Sequence, residues 1–270
     1  MKRNPVFHIA MSIYSLIYFI PLLWMAISAL KSNEEIAMSP LSLPKSWDFG
    51  VFAEAFGAGN LGKYAVNSAI VTGTCTTAVL LFGSMAAFAF TRLKFRFSKH
   101  LMGLITLGLI LPLQSYFIAQ NTLFDNLGIK DTRMALILPY TAMGLPLAIW
   151  LFRAYIQNLP KEIFEAARVD GASDLRVYQT ILVPMLKPGI ATVAVFTALS
   201  AWNEFLLALV YIQNDELKTI PTGLLTFSTR YSTNYHLLFA ALTIVTLPMI
   251  ILYVIFNRKV IEGLTEGAVK

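Results

Sequence analysis

Charge is scarce in this sequence: Asp, Glu, Lys and Arg make up 13% of its 270 residues, about half the roughly 25% of a soluble domain. With 57% hydrophobic residues and a mean hydropathy of +0.65, a soluble protein with a large core is excluded and a membrane protein implied. Cysteine is nearly absent. Cys75 stands alone, so this chain can by itself build no intramolecular disulfide, zinc cage or iron–sulfur cluster, and the thiol reads as a small packing residue in an apolar run. The three histidines, His8, His100 and His236, fall at the ends of apolar stretches, where an interfacial role is the default. No metal-ligand cluster or nucleophile–base pair emerges, so catalysis by this chain is not expected. No internal repeat is visible either, which disfavours inverted-repeat secondary transporters.

Base exceeds acid, 21 to 15, but the cations sit in short clusters between apolar runs, not on one soluble face. That argues against nucleic acid and for a charge-oriented membrane topology. Crossing a bilayer takes about 20 apolar residues, and six stretches qualify: 8–30, 65–90, 101–120, 134–152, 188–212 and 237–257. Lys2 and Arg3 before an apolar run resemble a secretory signal, yet the run from Val6 to Leu30 exceeds the roughly 7–15 residues of a signal core; it reads as an uncleaved first span. Pro21, Pro112, Pro139, Gly144, Pro146 and Pro248 lie inside these runs. Such residues mark either kinks in packed helices or irregular backbone lining a cavity. The N-terminus, the 91–100 and 153–187 loops and the tail carry 14 Lys and Arg against 7 on the other side, which places both termini in the cytoplasm.

The long outer loop 31–64 holds "SPLSLPKSWDF", whose prolines favour extended backbone. It ends in "GAGNLGKY" (Gly57–Tyr64), which fits the start of a Walker A loop. A true phosphate loop needs a preceding strand and a Ser or Thr where Tyr64 stands, so no nucleotide site is read here.

The 153–187 loop is the exception to the scarcity of charge. In "LPKEIFEAARVDGASDLRVYQTILVP", Pro160 suits a first helical turn, and Lys161 to Asp170 form a short helix with Glu162 and Glu165 in its N-terminal half. Gly171 can take the left-handed conformation that ends a helix. Ser173 can cap a second helix on which Leu175, Tyr178 and Leu182 share a face. From composition alone this is either a surface-lying amphipathic hairpin or a docking element.

Glu165, Ala166, Ala167, Gly171, Ile181 and Pro184 resemble, position by position, the E-A-A…G…I-x-L-P signature of the inner-membrane subunits of binding-protein-dependent ABC importers; Val183 replaces the usual leucine. "PYTAMGLPLAIWLF", "AWNEFLLAL" and the tail "GLTEGAVK" are similar to the MalG-type branch of carbohydrate permeases. The resemblance implies an all-α polytopic membrane protein with six transmembrane helices in the type I (MetI-like) fold, N-in and C-in, in the inner or plasma membrane. Its parts would be a first helix with its outer loop (1–64), a permease core (65–257) and a cytoplasmic tail (258–270). It implies coupling to ATPase subunits through Glu165, Ala166, Ala167, Asp170, Gly171, Ile181 and Pro184. The implied partners are a second, MalF-like permease, two ATPase subunits that hold ATP and magnesium, an extracytoplasmic solute-binding protein and a sugar. No cofactor is expected on this chain, and no nucleic acid.

Glu204 is the one ionisable residue well inside an expected span, about 24 Å along from Pro188 at 1.5 Å per residue. An intramembrane carboxylate is a functional candidate; pairing with a partner subunit or snorkelling to the interface are the alternatives. Trp202 and Asn203 could offer a sugar an aromatic face and an amide, and Trp202 could equally be an interfacial anchor. A phosphorylated glycerol derivative remains open as substrate. The competing classes are an ion-coupled secondary transporter using Glu204 and a membrane scaffold with no solute path.

Overall fold

The computed structural model describes residues 5–228 and 233–268. Among them the one β pairing is an isolated bridge between Ser228 and Thr233, and helices run in the order α1 (Pro5–Ser28), α2 (Asn33–Met38), α3 (Gly50–Ala58), α4 (Leu61–Arg92), α5 (Ser98–Leu107), α6 (Phe117–Asn126), α7 (Met134–Asn158), α8 (Lys161–Val169), α9 (Asp174–Val177), α10 (Val183–Met185), α11 (Lys187–Asn203), α12 (Leu206–Tyr211), α13 (Ile220–Gly223) and α14 (Tyr235–Ala268). The chain divides into two compact units, residues 1–66 with 219–250 and residues 67–218 with 251–270.

Four of the expected spans are single helices long and apolar enough to cross a bilayer: α1, α4, α7 and α14. The other two are interrupted. The 101–120 stretch is not one helix: α5 stops at Leu107 and α6 begins at Phe117. Pro112 is extended at φ −70°, ψ 138°, and a proline disfavours helical backbone in the residue before it. The 188–212 stretch stops at Asn203 and resumes at Leu206, for a reason that lies in Glu204. By contrast, Pro139 and Pro146 do not break α7, which continues for 25 residues. Helices surrounded by other helices tolerate such prolines.

In the first unit, the proline-containing 31–64 loop is pinned to the end of α1. The buried Lys31 ammonium donates to the carbonyls of Ser39 (3.2 Å) and Pro40 (2.9 Å), and Trp24 Nε1 donates to Pro40 O at 2.8 Å. The capping box of α2 joins Ser32 and Glu35. "GAGNLGKY" spans the end of α3 and the start of α4, with Tyr64 buried. Helix, not strand, precedes it.

The second unit is built on close helix crossings made by small residues, the usual device where lipid offers no hydrophobic drive for association. A Cβ on Gly144 of α7 would stand 2.9 Å from Val79 Cγ2 of α4, and one on Gly83 would stand 3.1 Å from Ala148 Cβ. Cys75 is buried in this core. At one end, Asp131 in left-handed backbone (φ 61°) accepts from the amides of Gln213 (2.7 Å) and Asn214 (2.8 Å). Arg133 donates to Asn67 Oδ1 at 2.9 Å, and Asn67 Nδ2 donates to the Glu216 and Lys218 carbonyls. These bonds fix where the chain leaves α12.

Candidate functional site

The charged loop folds as two helical arms about a tight turn. Pro160 precedes α8 as its cap residue, and Glu162 lies in the first turn, where its charge suits the positive helix end. At the other end Gly171 N–H donates to Arg168 O (3.0 Å) and Ala172 N–H to Ala167 O (2.9 Å). That bond pair is a Schellman motif, which requires a left-handed residue at its centre; Gly171 supplies it at φ 79°. A Cβ there would meet nothing within 4 Å, so backbone conformation and not space demands the glycine. Ser173 then caps α9, its side chain accepting from Arg176 N–H.

The second arm departs from the expected pattern at Pro184. A proline has no N–H for the carbonyl four residues back and its ring crowds that carbonyl. Here the backbone widens into a π turn over Tyr178–Leu182, and Val183 N–H bonds Tyr178 O. The helix therefore does not end at Pro184 but runs on through α10 and bends 78° into α11. The widened turn also changes which residues share a face. Tyr178 and Leu182 are buried as expected, but Leu175 is 59% exposed and Val177 takes the inner position.

Of the residues expected to couple, Ala167 is buried with Phe164 against the second unit's core, and Ile181 is half-buried. Glu165, Ala166, Asp170, Gly171 and Pro184 are exposed. Val169 is 87% exposed, so the outer surface of the turn combines acidic, small and apolar groups. Tyr178, which the sequence reading used only as an apolar position, shares a 2.8 Å hydrogen bond with Ser84 of α4 and meets the Phe88 ring at 5.9 Å.

The second site is the gap between α11 and α12. Glu204 is extended at φ −69°, ψ 125°. Its carboxylate turns forward to accept from the amides of Leu207 (Oε1, 2.9 Å) and Ala208 (Oε2, 3.2 Å), which start α12. Tyr140 of α7 donates to the same carboxylate at 2.6 Å. The half-buried charge thus satisfies two amides at a helix N-terminus, where unpaired donors and the macrodipole favour an anion, and ties the break to α7. Beside it lies a cavity of about 140 Å³ between α7 and α11, lined by Tyr140, Gly144, Leu147, Phe196, Thr197 and Glu204 among others. Trp202 and Asn203 do not line it. Asn203 faces outward with its amide donating to Leu199 O at 2.8 Å, and Trp202 is half-buried. Tyr140, Thr197 and Ser200 do line it and were not singled out in the sequence; a tyrosine facing a carboxylate on another helix leaves no local signal.

Residues 79–264 match the model of the family described as "Binding-protein-dependent transport system inner membrane component". The chain is 34% identical to a diacetylchitobiose uptake system permease protein of Streptomyces coelicolor over 96% of this chain and 87% of that protein. It is 29% identical to a melibiose/raffinose/stachyose import permease protein of Bacillus subtilis over 100% of this chain and 98% of that one. Among solved structures, a chain of a bacterial ABC transporter involved in alginate import matches with a TM-score of 0.78 at 19% identity, covering 96% of this chain and 98% of that one. At that identity the likeness bears on the fold.

Proposed function

This chain belongs to the binding-protein-dependent transport system inner membrane component family, a multi-pass cell-membrane permease and not an enzyme, and from that membership we propose that it forms one half of the pathway of an ATP-driven carbohydrate importer. The relatives named for diacetylchitobiose and for melibiose, raffinose and stachyose support a neutral sugar or oligosaccharide as substrate. The cavity's volume supports a shared pathway. At about 140 Å³ it is below the roughly 300–1,000 Å³ of small-molecule sites, so a second permease would complete the enclosure. ATP and magnesium would sit on two cytoplasmic ATPase subunits, and a solute-binding protein would deliver substrate from outside.

The observation that carries the coupling role is the Schellman turn at Gly171. It holds Glu165, Ala166 and Val169 on the exposed side of a short helix whose other face, Phe164 and Ala167, is buried in the core of the permease. A rigid helix with small exposed residues can seat closely in a cleft on an ATPase and carry its movement inward. The carboxylate of Glu204 already accepts three hydrogen bonds, which supports a structural tie over a proton or cation site.

Co-expression tests this reading: the ATPase subunits should co-purify, and the loaded binding protein should stimulate hydrolysis. The orientation, six spans with both ends inside, is tested by labelling. With Cys75→Ser as background, single cysteines at Ser173 and Ser228, both exposed, should react with an impermeant thiol reagent from opposite sides. Reaction of both on intact cells would overturn the topology.

A further inference from the structure

Two arginines tie the charged loop to the ends of two long helices, each holding what the other belongs to. Arg92 is the last residue of α4. Its Nη2 donates to Ile156 O (2.8 Å) and Leu159 O (2.9 Å) at the C-terminal end of α7, where carbonyls lack helical partners and a cation is favoured. The same guanidinium lies over the Phe164 ring of α8, 4.3 Å from its centroid, close enough for a cation–π attraction. In the opposite direction, Arg168 of α8 donates to Arg92 O at 3.3 Å and pairs with Asp174 at the start of α9 at 3.0 Å. One guanidinium thus joins α4, α7 and α8, and the other joins α8, α9 and α4. Apolar packing, the Tyr178–Ser84 bond and the chain's own continuity into α7 and α11 also link the loop to the bundle.

We infer that Arg92 and Arg168 form the joint that transmits movement of the 161–185 loop to α4 and α7. The inference rests on the coupling role proposed above and deepens it by naming positioning residues outside the docking surface. Apolar contacts resist separation but slide, whereas a planar guanidinium whose Nη2 holds two fixed carbonyls while its face lies on a ring constrains direction as well as distance. A pull on α8 through Phe164 therefore acts on the ends of α4 and α7 together. Without the joint the loop could still seat on its ATPase, and its displacement would be absorbed by slip at the core interface. Loss of the joint should separate hydrolysis from movement of the membrane helices, a signature that loss of docking does not produce.

The test uses the complete permease–ATPase complex in proteoliposomes, with Cys75→Ser and Ser200→Cys. Ser200 lines the cavity and is exposed, so its labelling rate with N-ethylmaleimide reads the state of the pathway, and ATP with orthovanadate drives the ATPase without requiring a known sugar. With the joint intact, the nucleotide should change the labelling rate. Arg92→Ala should shrink that change about tenfold, within the usual range of coupling between sites, and Arg168→Gln about threefold, just below it, while co-purified ATPase and ATP hydrolysis stay near the unaltered level. Arg92→Lys keeps the charge but not the planar face that lies on Phe164 and should fall between. Arg168 is about half exposed, at 46% of its side chain, so its variant carries little risk to folding. A full-sized nucleotide response in Arg92→Ala and Arg168→Gln overturns the joint, as does a loss that merely tracks lost ATPase. No ATPase on the unaltered chain would instead overturn the coupling reading beneath it.

Discussion

The molecule interrupts its helices in two different ways, at Gly171 and at Glu204. At Gly171 the interruption is made by backbone alone: a left-handed glycine, two internal hydrogen bonds and open space where a side chain would be. At Glu204 it is made by a side chain that leaves its own helix, starts the next and is held by a tyrosine from a third. The first needs nothing beyond its own loop and faces water. The second sits in an apolar stretch, half-buried at the edge of the cavity, and draws its three partners from the protein. A break in water can be cheap and local, and one in the membrane region has to be tied.

The largest effect should therefore come from removing the tie. Glu204→Ala would leave the Tyr140 hydroxyl and the amides of Leu207 and Ala208 without their acceptor, and hydrogen bonds to a charged group contribute roughly 1.5–3 kcal/mol each. Because the cost of half-burying the carboxylate is relieved at the same time, we expect a net loss of about 3 kcal/mol, seen as a lower midpoint of thermal unfolding in detergent. Glu204→Gln keeps one acceptor oxygen and should lose about half as much. Uptake by Glu204→Gln should also be indifferent to collapse of the proton gradient at constant ATP. Glu204→Ala as stable as the parent would show that the two breaks are of one kind, and wild-type uptake that vanishes with the gradient alone would revive an ion-coupled role.

At Gly171 the expected change in stability is smaller and the change in function larger. A β-branched side chain in left-handed backbone costs about 1–2 kcal/mol, so Gly171→Val should insert in the membrane normally yet mis-set α8 and weaken ATPase binding or uncouple hydrolysis from uptake. Because a Cβ there meets nothing within 4 Å, Gly171→Asn should stay near wild type, asparagine being tolerant of this conformation. Glu165→Lys leaves the turn intact and reverses a charge on the exposed face, so it should match Gly171→Val in ATPase co-purification and not in any change of fold. Equal activity of Gly171→Val and Gly171→Asn would mean that the left-handed turn does not matter to coupling.

The same contrast explains what could be read in the sequence. The glycine turn, the Ser173 cap and the acidic start of α8 are short-range features, and each has a residue-type signal at a fixed offset. The interruption of the 101–120 stretch was written in Pro112, but the apolar length outweighed it. The π turn leaves no spacing signal: Pro184 widens the turn before it, so Leu175 no longer shares a face with Leu182. Glu204 was recognised as unusual, and the amides three and four residues ahead were a local clue to its capping role. Its bond to Tyr140 and the grip of Arg92 on α7 and Phe164 join residues more than sixty positions apart. No spacing rule reaches that far, and only packing brings such groups together.

The smallest expected effects give the sharpest test, because one substitution can be made in both regions. Tyr140→Phe removes a single donor from Glu204, which keeps its two amides, so the loss should be about 1.5–2 kcal/mol. Tyr178→Phe removes the hydroxyl that meets Ser84 beside the charged loop. Ser84 Oγ also donates to Leu80 O at 2.6 Å, so its proton is already committed and the Tyr178 hydroxyl is the donor. What is lost there is a neutral bond, with the serine still satisfied, and the cost should be about 0.5 kcal/mol. Both rings stay in place, so packing is conserved and the difference isolates acceptor charge. Thermal unfolding of the two variants side by side should rank Tyr140→Phe as the more damaging. If Tyr178→Phe proves equal or worse, the bond to Glu204 is not what closes the gap between α11 and α12, and the tie must be sought in the two amides alone.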